Sequence, residues 1–185
     1  MKLKRFNFKE VNSTNNSAIK IIQNSKNRFG IVVADRQKKG RGQYGKKWTS
    51  YKGNLFVSIF FPTSKIKLSL KDLTIINCVL VKKVIAEFYK AEIFIKKPND
   101  LLINRKKISG ILQENISKSG KTFIIIGIGI NLIKSPKIEG YTTTNLFDLT
   151  NIKVNSHNMA LKLKKIYEKF IPILSKINVR NINRI

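Results

Sequence analysis

Residues 40–48 read Gly40-Arg41-Gly42-Gln43-Tyr44-Gly45-Lys46-Lys47-Trp48, and this segment decides which fold the chain can adopt. Its glycines have the G-x-G-x-x-G spacing of a dinucleotide-binding turn, which follows a strand and opens a helix. Here strands are predicted on both sides, over residues 29–34 and 55–61. A protein kinase flap also joins two strands, but the chain has no His-Arg-Asp or Asp-Phe-Gly sequence. We therefore interpret the segment as a flexible loop of backbone N–H donors and cations, suited to covering phosphates or a carboxylate.

Length and hydropathy favour a single domain. The chain has 185 residues, of which 42% are hydrophobic, and this is enough for one core. The longest apolar runs, residues 75–81 and 123–130, are much shorter than the roughly 20 residues of a membrane span. The N-terminus lacks the apolar core of a secretory signal. We expect residues 1–185 to form one cytoplasmic domain without a membrane partner.

The chain is strongly basic. It has 37 Lys and Arg residues against 10 Asp and Glu residues, which gives a formal net charge of +27. Such a charge is typical of nucleic-acid-binding proteins. However, the basic residues are spread over nearly the whole chain instead of forming one face or tail. Specific DNA binding is therefore not expected, whereas acidic partners such as ATP or an acidic protein substrate should be attracted in a salt-dependent way.

Cysteine and histidine are too scarce for several kinds of catalytic site. The only cysteine, Cys78, lies in an apolar run that predicts an inert buried thiol, and the only histidine is His157. Neither a zinc or haem site nor a Ser-His or Cys-His pair is expected from this set. An enzyme of this composition would work mainly through lysines, arginines, backbone amides and a few carboxylates. That chemistry suits phosphate-bearing substrates.

Hydrophobic periodicity predicts three helices. A short helix is expected over residues 13–23, because the polar residues at the start of this range can cap a helix. The long helix 70–89 has apolar residues at three-to-four spacing, namely Leu73, Ile76, Leu80, Val84 and Phe88. A final amphipathic helix is predicted over residues 158–174, with Pro172 as its weak point.

Short strands are predicted after the long helix, over residues 93–96, 101–104, 107–114 and 122–132, separated by turn residues. They suggest hairpins. Residues 135–155 are polar and are predicted to be irregular. The sequence thus predicts an α+β domain with a mixed, mostly antiparallel sheet packed with helices.

Four segments, in this order, resemble the catalytic domain of biotin protein ligases. They are Asn12-Ser13-Thr14-Asn15; Gln37 with residues 40–48; Lys96-Lys97-Pro98-Asn99-Asp100-Leu101 with Lys107-Ile108-Ser109-Gly110-Ile111-Leu112; and Gly127-Ile128-Gly129-Ile130-Asn131. The resemblance covers roughly residues 10–150. It implies the biotin/lipoate protein ligase fold, which is related to class II aminoacyl-tRNA synthetase cores. It also implies a catalytic domain alone, without the N-terminal helix-turn-helix or the small C-terminal β-barrel of some members.

The reaction implied by this resemblance has two steps. Biotin and Mg-ATP give biotinyl-5′-adenylate, which is then attacked by a lysine of a biotin carboxyl carrier protein domain, from acetyl-CoA carboxylase or a related carboxylase. A homodimer is among the expected assemblies. Because the first step brings a carboxylate to a phosphate, the site must neutralise charge and align two anions.

The functional positions of the family fall on matching residues of this chain. The expected biotin-binding residues are Ser13, Thr14, Asn15, Gln37, Gly40, Arg41, Gly42 and Lys107. The expected ATP-binding residues are Gln43, Lys46, Trp48, Lys96, Asn99, Asp100, Gly129 and Asn131. Lys107 and Arg41 would be the catalytic cations, and Asp100 would bind Mg²⁺.

Some of these residues also have a purely structural interpretation. Residues 13–15 could begin a helix, Trp48 could belong to the core, and residues 98–100 could form a turn. Without the resemblance, Lys107 would be one lysine among many.

Two positions depart from the family pattern. Gln43 replaces an arginine that commonly helps to hold the adenylate, so retention of the intermediate should be looser, partly compensated by Arg41 and Lys46. Lys97 replaces a tryptophan, which weakens the expected packing behind residues 98–100.

Two alternatives stay open. One is a lipoate or octanoate ligase or transferase of the same fold, although the combination of Gly-Arg-Gly, Pro-Asn-Asp and Gly-Ile-Asn favours biotin. The other is a non-catalytic basic domain that binds nucleic acid.

Overall fold

A computed structural model describes residues 1–63, 66 and 68–177, which form a mixed sheet with helices on both faces. The seven strands are β1 Lys4–Val11, β2 Gly30–Gln37, β3 Leu55–Pro62, β4 Phe94–Lys96, β5 Asp100–Ile103, β6 Lys106–Lys118 and β7 Lys121–Ile130. Their order in the sheet is β1-β2-β3-β7-β6-β5-β4. Strands β1 and β2 are parallel, and all other neighbours are antiparallel. The α+β class with a mixed, mostly antiparallel sheet is confirmed.

The helices are α1 Thr14–Asn24, α2 Leu70–Ala86, α3 Leu146–Thr150 and α4 Ser156–Phe170, with short 3₁₀ helices at Gln43–Gly45 and Ile171–Lys176. Helix α2 ends at Ala86, three residues earlier than the sequence predicted, and the last predicted helix changes to a 3₁₀ helix around Pro172. None of the helices in the described parts of the chain is long and apolar enough to cross a membrane.

Strand β1 and helix α3 were not predicted from the sequence. The outer strand β1 alternates poorly and is exposed at most positions, so it lacks the apolar face that identifies a strand. Because β1 pairs with β2 in parallel, β1, α1 and β2 form a β-α-β unit beside the predicted hairpins. Helix α3 is one turn long and lies in the segment 135–155 that was predicted to be irregular.

The two faces of the sheet carry separate cores, because side chains alternate along each strand. On one face, residues such as Ile59 and Ile126 pack with α2 and α4. On the other face, Phe60 and Ile125 pack with Ala18 and Ile22 of α1. The larger core belongs to α2 and α4, and α1 covers only part of its own face.

Small residues mark the part of that face beyond α1. Gly127 and Gly129 continue the row of Ile125 along β7, and Gly110 of β6 is the direct partner of Gly129. A strand that presents isoleucine to α1 therefore presents glycine further along. This change leaves an open space above the sheet.

The single cysteine lies in the larger core, as predicted. Cys78 is fully buried, and burial, together with the nearby Asp100 carboxylate, raises the pKa of its thiol to about 12. Since the thiolate is the reactive form, iodoacetamide at mildly alkaline pH should alkylate native Cys78 at least about 100-fold more slowly than the guanidinium-unfolded chain. Mass spectrometry of timed samples measures both rates. Equal rates would show that the thiol is accessible in the folded protein.

Candidate active site

A cleft of about 810 Å³ opens over the glycine-bearing part of the sheet. Its walls are the N-terminus of α1, the glycine-rich segment 40–48, the turn 97–100 and the segment 136–143. The structure brings all the predicted site residues except Gly40 to the lining of this cleft. Gly40 lies behind the lining, where a Cβ atom would stand 2.5 Å from the Trp48 carbonyl oxygen.

The first wall is the start of α1, which is bound to the end of β2. The Thr14 amide and hydroxyl both donate to Gln37 Oε1, at 2.8 and 3.1 Å. This fixes the orientation of the Gln37 amide and turns its Nε2 away from Thr14. Ser13 occupies the N-cap position, but its side chain makes no capping bond. Within the described residues, Ser13 Oγ and Gln37 Nε2 have no hydrogen-bond partner, and both groups lie at the cleft.

Asn15 has a different environment, because its polar atoms are already used. Its Nδ2 donates to the Leu112 carbonyl at 3.3 Å and to Glu114 Oε2 at 2.6 Å, and its Oδ1 accepts from Ser58 Oγ at 2.5 Å. A Cβ atom on Gly127 would stand 2.4 Å from Asn15 Oδ1, so this packing requires glycine. Asn15 therefore shapes the wall, and the predicted ligand contact would have to share one of these bonds.

The glycine-rich segment 40–48 folds into a small hairpin. The Trp48 amide donates to the Gly40 carbonyl at 3.0 Å and the Gly42 amide to the Lys46 carbonyl at 2.6 Å. Tyr44 at the tip has a left-handed φ of 55° and is 89% exposed. These two amides are used within the hairpin, so they are not among the free N–H donors that were predicted for a flexible loop.

Arg41 is directed at protein atoms in this structure. Its Nη2 lies 2.7 Å from Glu114 Oε2 and 2.8 Å from Asn16 Oδ1. The sequence predicted a cation that faces the reacting groups, and it identified neither Glu114 nor Asn16. Arg41 thus links the glycine-rich segment to β6 and α1.

Lys107 and Asp100 form an ion pair inside the cleft. Lys107 Nζ is 2.7 Å from Asp100 Oδ1, and the side chains are only 20% and 15% exposed. Apart from this ion pair, Oδ1 is buried and has no hydrogen-bond partner among the described residues. The Tyr141 hydroxyl donates to the other oxygen, Oδ2, at 2.5 Å. Burial, and next the bond to Asp100, raises the pKa of Tyr141 well above its ordinary value, so the phenol stays protonated and acts as a donor.

The backbone around Lys107 is held on both sides. Its amide donates to the Thr142 carbonyl, and its carbonyl accepts from the Thr144 amide, each at 2.9 Å. Its ammonium also lies 5.4 Å from the centre of the Trp48 ring and 5.3 Å from that of Tyr141. These distances allow cation–π attraction to both rings. Lys107 is therefore a fixed cation with one carboxylate and two aromatic neighbours.

Trp48 lies on the floor of the cleft. A Cβ atom on Gly129 would stand 2.4 Å from Trp48 Cε2, and one on Gly110 would stand 2.8 Å from Cζ3. The indole therefore rests against both glycines of the β6–β7 pair. Its Nε1 is buried and has no hydrogen-bond partner in the described part of the chain. Trp48 belongs to the cleft rather than to either core.

The two predicted asparagines differ in what they can offer a ligand. Asn99 Nδ2 donates to the Ile111 carbonyl at 2.6 Å, so this amide fastens the turn to β6. Asn131 Nδ2 donates to the Thr144 carbonyl at 3.0 Å, whereas its Oδ1 is buried without a partner in the described residues. Asn131 can therefore accept a hydrogen bond from a ligand without losing one of its own.

The cleft is positively charged. The cations that line it are Arg41, Lys46, Lys47, Lys96, Lys97 and Lys107, whereas the acidic residues among its lining residues are Asp100 and Glu139. Such a surface attracts a polyanion such as a nucleoside triphosphate and holds the charge of a carboxylate.

Comparisons with known proteins show the family of the chain. A family model described as the biotin/lipoate A/B protein ligase family matches residues 8–131. The bifunctional ligase/repressor BirA of Bacillus subtilis is 35% identical over 128 residues, covering 68% of this chain and 39% of that protein. The biotin--[acetyl-CoA-carboxylase] ligase of Paracoccus denitrificans is 31% identical over 127 residues, covering 67% and 52%. This chain therefore spans between about two fifths and about half of these relatives.

The fold agrees with a solved structure as well. Biotin protein ligase from Aquifex aeolicus, in complex with biotin and ATP, has a TM-score of 0.81 at 28% identity. The match covers 95% of this chain and 73% of that chain.

Proposed function

The chain belongs to the biotin/lipoate A/B protein ligase family, and we propose that it is an ATP-dependent biotin protein ligase. It converts biotin and ATP to biotinyl-5′-adenylate and then transfers the biotinyl group to a lysine of a biotin carboxyl carrier domain. The names of the Bacillus, Paracoccus and Aquifex relatives support this choice.

The polar wall at the start of α1 is the observation that favours biotin over lipoate. The ureido ring of biotin has a carbonyl that accepts hydrogen bonds and two N–H groups that donate them. Ser13 Oγ can donate or accept, and Gln37 Nε2 can donate. The dithiolane ring of lipoate has neither group, so it would leave these polar atoms unpaired in a closed site, which is unfavourable. We therefore assign this wall to the ureido ring.

In the first step, a carboxylate oxygen of biotin forms a bond to the α-phosphorus of ATP, and the bond to the pyrophosphate oxygen breaks. Negative charge accumulates between the reactants, so fixed cations lower the barrier. Lys107 is the best placed of them, because its backbone is held on both sides and its ammonium lies inside the cleft. In the second step, the amine of the acceptor lysine attacks the acyl carbon and AMP leaves.

Mg²⁺ would bind at Asp100. The described residues contain no cluster of three or more His, Cys, Asp or Glu side chains that could hold a metal alone. Mg²⁺ commonly binds through one or two carboxylates, with water and substrate phosphates as its other ligands. Asp100 Oδ1, a buried oxygen whose neighbour in the ligand-free site is the Lys107 ammonium, fits such a role, with the ion taking the place of that contact. When bound with ATP, the ion would neutralise part of the phosphate charge.

The acceptor is proposed to be the carrier domain of acetyl-CoA carboxylase or a related carboxylase in the cytoplasm. A net charge of +27 should attract an acidic domain and make transfer sensitive to salt. A homodimer and the lack of specific DNA binding stay predictions.

The test of this function is ATP–pyrophosphate exchange with biotin, with lipoate and without any acid. Exchange that requires biotin supports the proposal, and exchange with lipoate alone would assign the chain to the other branch of the family. No exchange with either acid, together with salt-sensitive binding of RNA or DNA, would support the non-catalytic alternative.

Gln43 allows a separate prediction about the intermediate. It is half-buried at the lining of the cleft, where the family commonly has arginine. Gln43→Arg should slow dissociation of biotinyl-5′-adenylate by about three- to tenfold, because a charged group binds phosphate more strongly than a neutral amide does. Rapid dilution into excess unlabelled biotin and ATP measures the rate. Gln23→Arg, at an exposed position of α1, adds the same charge away from the cleft. Equal dissociation rates for the two variants would contradict the prediction.

A further inference from the structure

Glu114 is the residue to which Arg41 of the glycine-rich segment is bound. The carboxylate lies on β6, 2.7 Å from Arg41 Nη2, and its side chain is 25% exposed against 40% for Arg41. Among residues 1–63, 66 and 68–177, this is the only ion pair between segment 40–48 and the rest of the chain. Together with the Arg41–Asn16 hydrogen bond, this contact ties the segment to β6 and α1.

A series of side-chain hydrogen bonds from the buried part of the sheet holds the Glu114 carboxylate in place. The fully buried Ser58 hydroxyl donates to Asn15 Oδ1, and Asn15 Nδ2 donates to the same Glu114 oxygen that Arg41 binds. Asn15 is itself only 2% exposed. The carboxylate therefore has a fixed position on the sheet, from which it can hold Arg41.

The other cations of the segment form no comparable contact. Lys46 and Lys47 lie on the returning arm of the hairpin, with Lys47 opposite Arg41, and neither has an ion-pair partner among the described residues. Arg41 also donates to Asn16, but that acceptor is neutral and its bond is weaker than a bond to a carboxylate.

We propose that Glu114 is a positioning residue, which keeps the glycine-rich segment over the cleft by binding Arg41 and so limits the rate at which a bound ligand leaves. The identity of that ligand, biotinyl-5′-adenylate, rests on the proposed function. The anchoring itself is a property of the ligand-free protein. Two experiments therefore test the two parts separately.

The first experiment measures opening of the segment without ligand. Tyr44 is highly exposed, so chymotrypsin cuts after it whenever the hairpin opens, and the cleavage rate follows the open population. Glu114→Gln keeps the shape and removes the charge, and it should raise this rate by about three- to tenfold, the range expected for a charged hydrogen bond that is partly exposed. Glu87→Gln is the control, because Glu87 pairs with Lys162 on the far side of the protein, between α2 and α4. An unchanged rate in Glu114→Gln would refute the proposal.

A double-variant cycle shows whether Glu114 acts through Arg41 or through Asn15. If it acts through Arg41, Glu114→Gln should have no further effect on cleavage in an Arg41→Gln background. If it only supports Asn15, the second substitution should raise the rate as much as it does in the native protein, and the proposal would be wrong. Chymotrypsin suits this cycle because neither substitution changes its cleavage site.

The second experiment measures release of labelled biotinyl-5′-adenylate from the same variants. Glu114→Gln should release it about three- to tenfold faster than the native protein and Glu87→Gln, again without further effect in Arg41→Gln. An unchanged release rate would contradict the role in ligand retention. If the native protein forms no adenylate at all, the proposed function fails, and the cleavage experiment still decides whether Glu114 anchors the segment.

Discussion

Replacement of Lys107 by methionine should lower the rate of biotin-dependent ATP–pyrophosphate exchange by about 10²- to 10³-fold, as expected when a fixed charge in a closed site is lost. Methionine has nearly the same length and retains the apolar part of the side chain. Two effects add together. The variant lacks the cation proposed to face the reacting phosphate, and it leaves the Asp100 carboxylate without its ion-pair partner. An uncompensated carboxylate in the cleft repels both substrates, so kcat should fall and the KM for ATP should rise.

The matched control is the neighbouring residue. Lys106→Met removes the same charge from an exposed position of β6 that does not line the cleft. It should change the exchange rate less than about twofold, because exposed charges contribute little. Similar losses in the two variants would show that general charge, and not the position of Lys107, supports the reaction.

Gly129→Ala should abolish most of the activity through a steric effect. The new methyl group would stand 2.4 Å from Trp48 Cε2 and 2.5 Å from Cζ2, distances at which the indole or the strand must move. Overpacking of this kind costs about 1–3 kcal/mol, which corresponds to a fall in Tm of roughly 5 °C for a chain of this size. Displacement of Trp48 also disturbs the ring beside Lys107. We expect at least about a tenfold loss of exchange activity, a loss of the size that small misplacements in active sites produce.

Two further variants isolate the cause. In a Trp48→Ala background the clash is removed, so adding Gly129→Ala should lower Tm much less than it does in the native protein. Gly42→Ala is the stability control, because a Cβ atom there meets nothing closer than 3.4 Å. If Gly129→Ala is equally destabilising with and without Trp48, the contact with the indole is not its cause. Calorimetry of these four variants and the native protein gives the answer.

Local sequence patterns were sufficient for most of the fold. The apolar strands and the long helix α2 have strong periodicity, and their predicted ranges agree with the structure to within a few residues at their ends. Strand β1 could not be predicted in this way. It is an outer strand, and its sequence KRFNFKEV buries no continuous face, so its structure depends on pairing with β2.

The site residues likewise divide into those with a local sequence pattern and those that depend on distant partners. The predicted residues occur in short motifs, and motifs are visible in a sequence. Glu114 and Tyr141 were missed because their roles depend on partners far along the chain. Glu114 binds Asn15 across 99 positions, and Tyr141 binds Asp100 across 41 positions. The alternation of Gly110, Leu112 and Glu114 along one face of β6 was a usable signal for Glu114, whereas Tyr141 lies in an irregular segment that offers none.

The position of Trp48 makes the cleft spectroscopically visible. It is the only tryptophan of the chain, and it lies against Gly110 and Gly129 with the Lys107 ammonium 5.4 Å from its ring. Indole emission depends on nearby charge and on contact with water, and both change when an anion enters the cleft or when the glycine-rich segment moves. Intrinsic fluorescence of the unlabelled protein should therefore follow each binding event as it occurs, with no signal from any other tryptophan to subtract.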